Sequence, residues 1–92
     1  MDIVWFKTSV VPKLENCQIE YHSFANGDFG DLERVELEKA GIGVTLDFWS
    51  LGWLGIHAIS YKSGEEIINL LLEPDEKGKK EEVFRKLENV LR

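Results

Sequence analysis

Residues 32–61, LERVELEKAGIGVTLDFWSLGWLGIHAISY, decide the fold. From Leu32 to Glu38, Val35 and Leu37 fall on one side of an extended chain and Arg34, Glu36 and Glu38 on the other, as in a half-buried strand. Gly41-Ile42-Gly43 then turns the chain. Val44, Leu46 and Phe48 alternate with Thr45, Asp47 and Trp49, so a second strand has one apolar face and one mixed polar and aromatic face. Gly52 marks the next turn. The strand from Trp53 to Tyr61 sets Leu54, Ile56 and Ala58 against Trp53, His57, Ile59 and Tyr61. Three successive strands with the same period and tight connections read as an antiparallel meander.

Working outward, Ser63-Gly64 suits a two-residue hairpin turn, and the segment from Glu65 to Glu73 admits two readings. Ser63 with Glu66 three residues on fits a helix capping box, whereas Ile67 to Leu72 suits a buried strand; the β-branched start and the preceding hairpin signal favour the strand, and Pro74 ends either element. Beyond Gly78, Val83, Phe84, Leu87, Val90 and Leu91 recur at helical spacing, which predicts an amphipathic helix over residues 80–92. Its Phe84 and Leu87 are expected against Val35, Leu46, Ile56 or Leu70. Upstream, Asp2 to Val10 is rich in β-branched and aromatic residues, and Cys17 to Phe24 alternates Ile19 and Tyr21 with Gln18 and Glu20; both segments are expected to be strands. Strands followed by a helix give an α+β class: an antiparallel β-meander sheet with a C-terminal amphipathic helix packed on one face and the opposite face open.

Ninety-two residues, 43% of them apolar, suit a single domain spanning 1–92. The apolar runs fall far short of the roughly 20 residues that a membrane span needs. Met1-Asp2-Ile3-Val4-Trp5 places an acid where a secretory signal carries a basic region, so a cytoplasmic location is expected. The single cysteine, Cys17, cannot form an internal disulfide. The net charge of −6 is unevenly spread: residues 76–92 hold six bases against four acids, while residues 1–75 hold five bases against thirteen acids. Such a body repels phosphate backbones and attracts a basic partner, so a protein rather than a nucleic acid is the expected ligand. The same acidity also serves solubility alone.

Little in the chain points to catalysis. His57 with Asp47 and Ser50, Ser60 or Ser63 lacks the cleft that holds a nucleophile against its base, and Glu36 with Glu38 reads as a solvated strand face. Cys17 and His22 could share a metal ion, but two ligands fall short of the three or four that a site requires, so no metal and no cofactor are expected. Gly41-Ile42-Gly43 lacks the further glycine and the lysine of a phosphate-binding loop. The aromatic content stands out instead. Trp49 and Trp53 flank Ser50-Leu51-Gly52 beside Asp47, His57 and Tyr61, which suits either an interface hot spot or a second small core. The expected partner-binding residues are therefore Glu36, Glu38, Asp47, Trp49, Trp53, His57 and Tyr61.

Asp47-Phe48-Trp49 followed by Gly52-Trp53-Leu54-Gly55-Ile56-His57, within a small acidic meander that ends in a helix, resembles the small immunity proteins of bacterial polymorphic toxin and contact-dependent inhibition systems. The resemblance implies a cytoplasmic, non-catalytic inhibitor of a delivered toxin domain, often a basic nuclease, and carries no catalytic residue with it. The competing expectations are a regulatory or scaffolding module that binds protein through a sheet edge or the open face, a small-ligand pocket between sheet and helix, and an enzyme.

Overall fold

The computed structural model describes Met1–Leu91. Five strands, β1 (Gln18–Gly27), β2 (Gly30–Lys39), β3 (Ile42–Trp49), β4 (Leu54–Ser60) and β5 (Glu66–Leu72), pair antiparallel with their neighbours in chain order. The segment from Glu65 to Glu73 is thus mainly strand. The turn between β2 and β3 is narrower than Gly41-Ile42-Gly43 suggests: Lys39 pairs with Ile42, and Ala40 and Gly41 both have positive φ, 50° and 81°. Positive φ at both central residues defines the hairpin turn whose twist matches that of the flanking strands. The connection after β4 is longer than a two-residue turn. It spans Tyr61 to Gly64 and is closed by Ser60 N–H donating to Glu65 O and Gly64 N–H donating to Ser60 O.

The expected strand over Asp2 to Val10 is helical instead. Ile3–Trp5 forms an α-helical turn (α1), Phe6–Val10 widens into a π-helical turn, and Val11–Lys13 tightens into a 3₁₀ turn that contains Pro12. The Asp2 carboxylate accepts the Trp5 backbone N–H at 2.8 Å, and the Thr8 hydroxyl donates to Val4 O at 2.9 Å. Burial explains the outcome. A period of two would place Lys7 and Ser9 on the same side as Ile3 and Trp5, whereas helical spacing aligns Ile3, Phe6 and Val10, and Phe6 and Val10 are fully buried. Residue preference for β structure yields here to the tertiary contact.

The C-terminal helix, α2 (Lys77–Val90), starts three residues before the expected position and takes Gly78 into its first turn. Ahead of it, the Glu76 carboxylate accepts the Glu73 backbone N–H at 3.0 Å and pairs with Lys79 at 3.1 Å. The Glu73 N–H, then Lys79, holds the Glu76 carboxyl below its ordinary pKa, so what this contact adds to stability is present above the carboxylate range and is lost as pH falls through it. Lys80 is buried, and its ammonium donates to Gly52 O at 2.9 Å and Pro74 O at 3.2 Å. One side chain therefore ties the helix start to two loops.

Both helical segments lie on the same face of the sheet. Phe84 packs between Trp5, edge-on at 4.8 Å, and Phe48, stacked at 6.3 Å, while Phe6 meets Phe48 at 5.7 Å. The width of this cover is visible along one row of paired residues. Tyr21, Val35, Leu46, Ile56 and Leu70 are 43%, 0%, 0%, 2% and 44% exposed, so along this row the helices shield the three central strands and leave both outer residues exposed, although Ile68 and Leu72 of β5 are buried. Leu70 is accordingly not a core residue, contrary to its expected place against Phe84 and Leu87. Phe84→Ala should lower the unfolding free energy by about 3–5 kcal/mol, and Leu70→Ala by only about 0.5 kcal/mol, in denaturant titrations. Lys80→Met keeps the apolar stem but strands two carbonyls, and a loss of about 2 kcal/mol is expected by the same measurement.

Candidate functional site

Among the described residues no helix covers the other face of the sheet, and alternation along each strand together with the register arranges its side chains in four cross-strand rows. Gln18, Glu38, Gly43, Ile59 and Glu66 form the first row, and Glu20, Glu36, Thr45, His57 and Asn69 the second. The third comprises His22, Arg34, Asp47, Gly55 and Leu71. Phe24, Leu32 and Trp49 form the last. Glu20, Glu36, Glu38, Asp47 and Glu66 are on this face, and among the described strand residues Arg34 is its one permanent cation, so the face is strongly acidic.

The expected site residues separate into two groups. Glu36, Glu38, His57 and Tyr61 come together around an open groove of about 270 Å³, floored by Gly43 and Thr45 and bordered by Gln18, Glu20 and Ile59. Gly43 is needed because the Tyr61 hydroxyl lies where a β-carbon would stand, which lets the Tyr61 ring roof this end of the groove. His57 Nε2 is 3.3 Å from Glu66 Oε1. A groove of this size and openness is smaller than the roughly 300–1,000 Å³ of small-molecule sites and suits a single long side chain. Its acceptors outnumber its donors, so that side chain would be cationic.

Asp47, Trp49 and Trp53 lie toward the other end. The Asp47 carboxylate is held by Arg34 in a two-point contact, Nε to Oδ1 at 2.7 Å and Nη2 to Oδ2 at 3.2 Å, with Arg34 also over the Phe24 ring at 5.7 Å. That hydrogen bond, despite partial burial, holds the Arg34 guanidinium above its ordinary pKa. Asp47 is thus already neutralised. Trp53 stacks on Phe29 at 4.5 Å, Trp49 meets Phe29 edge-on at 5.4 Å, and Trp49 also covers Gly55. Both tryptophans are half-buried in this cluster, as in the second small core that the sequence left open.

Sequence reasoning set Arg34 beside Glu36 and Glu38 without pairing it to Asp47, and it missed Phe29, Glu20 and Glu66 as members of the surface. Their roles depend on register and on a turn, although the alternation over residues 18–24 already places Glu20 and His22 on one face. Cys17 and His22 do not approach each other as a metal pair would, because five residues of extended chain span about 16 Å. Within the described residues, every buried side-chain nitrogen and oxygen has a hydrogen-bond partner. Comparisons with family models, curated proteins and solved structures find no match for this chain.

A double-mutant cycle on Arg34→Ala and Asp47→Ala should give a coupling of about 1 kcal/mol in unfolding free energy, since the pair is two-pronged but partly solvated. The coupling should shrink as salt rises.

Proposed function

We propose that this chain is a non-catalytic, immunity-type inhibitor that acts in the cytoplasm by binding the basic surface of a toxin domain, such as the phosphate-binding site of a nuclease. The observation that carries this reading is the open face, where uncovered carboxylates surround a groove sized for one cationic side chain. A nuclease presents such cations wherever it holds phosphates, and an acidic face steers it into contact at long range. The resemblance of residues 47–57 to immunity proteins supports the same partner class.

On this reading the contacts centre on the groove. Glu36, Glu38, His57 and Tyr61 are available there, whereas Asp47 is paired with Arg34 and the two tryptophans shape the end of the face. In co-expression with the toxin domain encoded beside its gene, Glu38→Lys should weaken protection and slow association about tenfold at low salt, the defect fading with added salt. Tyr61→Ala should leave association unchanged and raise the dissociation rate about thirtyfold, as for an aromatic hot spot worth about 2 kcal/mol. Unchanged protection and kinetics in both folded variants would exclude this face.

A regulatory or scaffolding module is the alternative, and one observation favours it. The outer edges of β1 and β5 are unpaired in the sheet, and β5 exposes Leu70 and Leu71. An added strand could dock there. Leu71→Lys alters this edge without touching the groove, so a partner lost through that variant alone would transfer the function to the edge.

A further inference from the structure

We propose that Glu20, His22 and Glu36 form a binding site for one divalent ion of the zinc class at the β1 border of the open face. Glu20 and Glu36 stand directly opposite each other on β1 and β2, and His22 lies two residues farther along β1 on the same side. His22 Nε2 is 3.6 Å from Glu20 Oε2 and 3.5 Å from Glu36 Oε2, and the three donor atoms lie within 4.8 Å of one another. Those separations exceed the 2.7–2.9 Å or so of a good charge-assisted hydrogen bond. The two His22 distances are close to the edge of a coordination tetrahedron, about 3.4 Å when the metal–ligand bonds are about 2.0–2.1 Å. An ion among the three atoms therefore needs only small rotations of exposed glutamate side chains, with the strands unmoved.

The donor set selects the kind of ion. One imidazole nitrogen with two carboxylate oxygens suits zinc and its first-row neighbours, whereas calcium and magnesium prefer sites made of oxygen alone. Three protein ligands on an exposed surface leave a fourth position to water. Electrostatics act in the same direction, because like charges directly opposite on paired strands destabilise a sheet and a bound dication would offset the Glu20 and Glu36 repulsion. His57 supplies a contrast within the same face: its Nε2 has only Glu66 Oε1 at 3.3 Å, and the other Glu66 oxygen accepts from Asn69. The site stands independently of any protein partner, since its ligands all come from one hairpin.

The test is a titration of the metal-free full chain with zinc chloride, followed through the ring nitrogens of its two histidines by NMR and by calorimetry. One equivalent should bind saturably and shift the His22 ring while leaving the His57 ring nearly unchanged. His22→Ala and Glu36→Gln, both at exposed positions, should each weaken binding at least tenfold, and thermal melts would confirm that they are folded. His57→Ala and Cys17→Ser should bind as the parent does. The proposal is overturned if no saturable response occurs below about 1 mM, a binding free energy weaker than about −4 kcal/mol. It is also overturned if binding survives His22→Ala unchanged, or if it disappears with Cys17→Ser.

Discussion

The contact of Phe84 with Phe48 and Trp5 is the one on which the rest of the structure depends. A five-stranded antiparallel sheet of this length has one apolar face, and that face must be covered before the sheet is stable in water. Cover comes from two pieces far apart in the chain, the helical turns at the start and α2 at the end, and neither is wide enough alone. Phe84 joins them over β3, with Phe6 completing the contact on Phe48. Lys80 then anchors the near end of α2 to the loops at Gly52 and Pro74, so the helix has a set position as well as a set face.

Because both helical segments are spent on one side, the other side of the sheet is left to its strand residues. The alternation that makes Val35, Val44, Leu46 and Ile56 core residues necessarily turns Glu36, Thr45, Asp47 and His57 outward. A face so rich in carboxylates carries internal repulsion, and the structure offsets only part of it. Arg34 pairs with Asp47 in good geometry, while Glu20 and Glu36 have only His22 within ion-pair distance. The two glycines of the face are each covered by an aromatic ring, Gly43 by Tyr61 and Gly55 by Trp49, which shapes a groove at one end and a closed cluster at the other.

The sequence by itself determined the meander, its apolar face and the amphipathic C-terminal helix, because periods of two and of 3.6 are written in which residues are apolar and need no knowledge of partners. It also placed Glu36, Glu38, Asp47 and His57 on a common face. It misjudged Asp2 to Val10, where β-branched composition was a weaker guide than the spacing of Ile3, Phe6 and Val10. Only the tertiary structure decided that this segment coils onto the sheet, that Leu70 lies beyond the helices' reach, and that Trp49 and Trp53 close around Phe29. Register decided the chemistry of the open face: pairing residue 20 with 36 and residue 34 with 47 gathers one charged cluster around His22 and dissolves another at Asp47. The physical reason is that face is a local property of a strand, whereas opposition across strands depends on where each turn closes: the β1–β2 turn sets the partner of Glu20 and the β2–β3 turn that of Asp47.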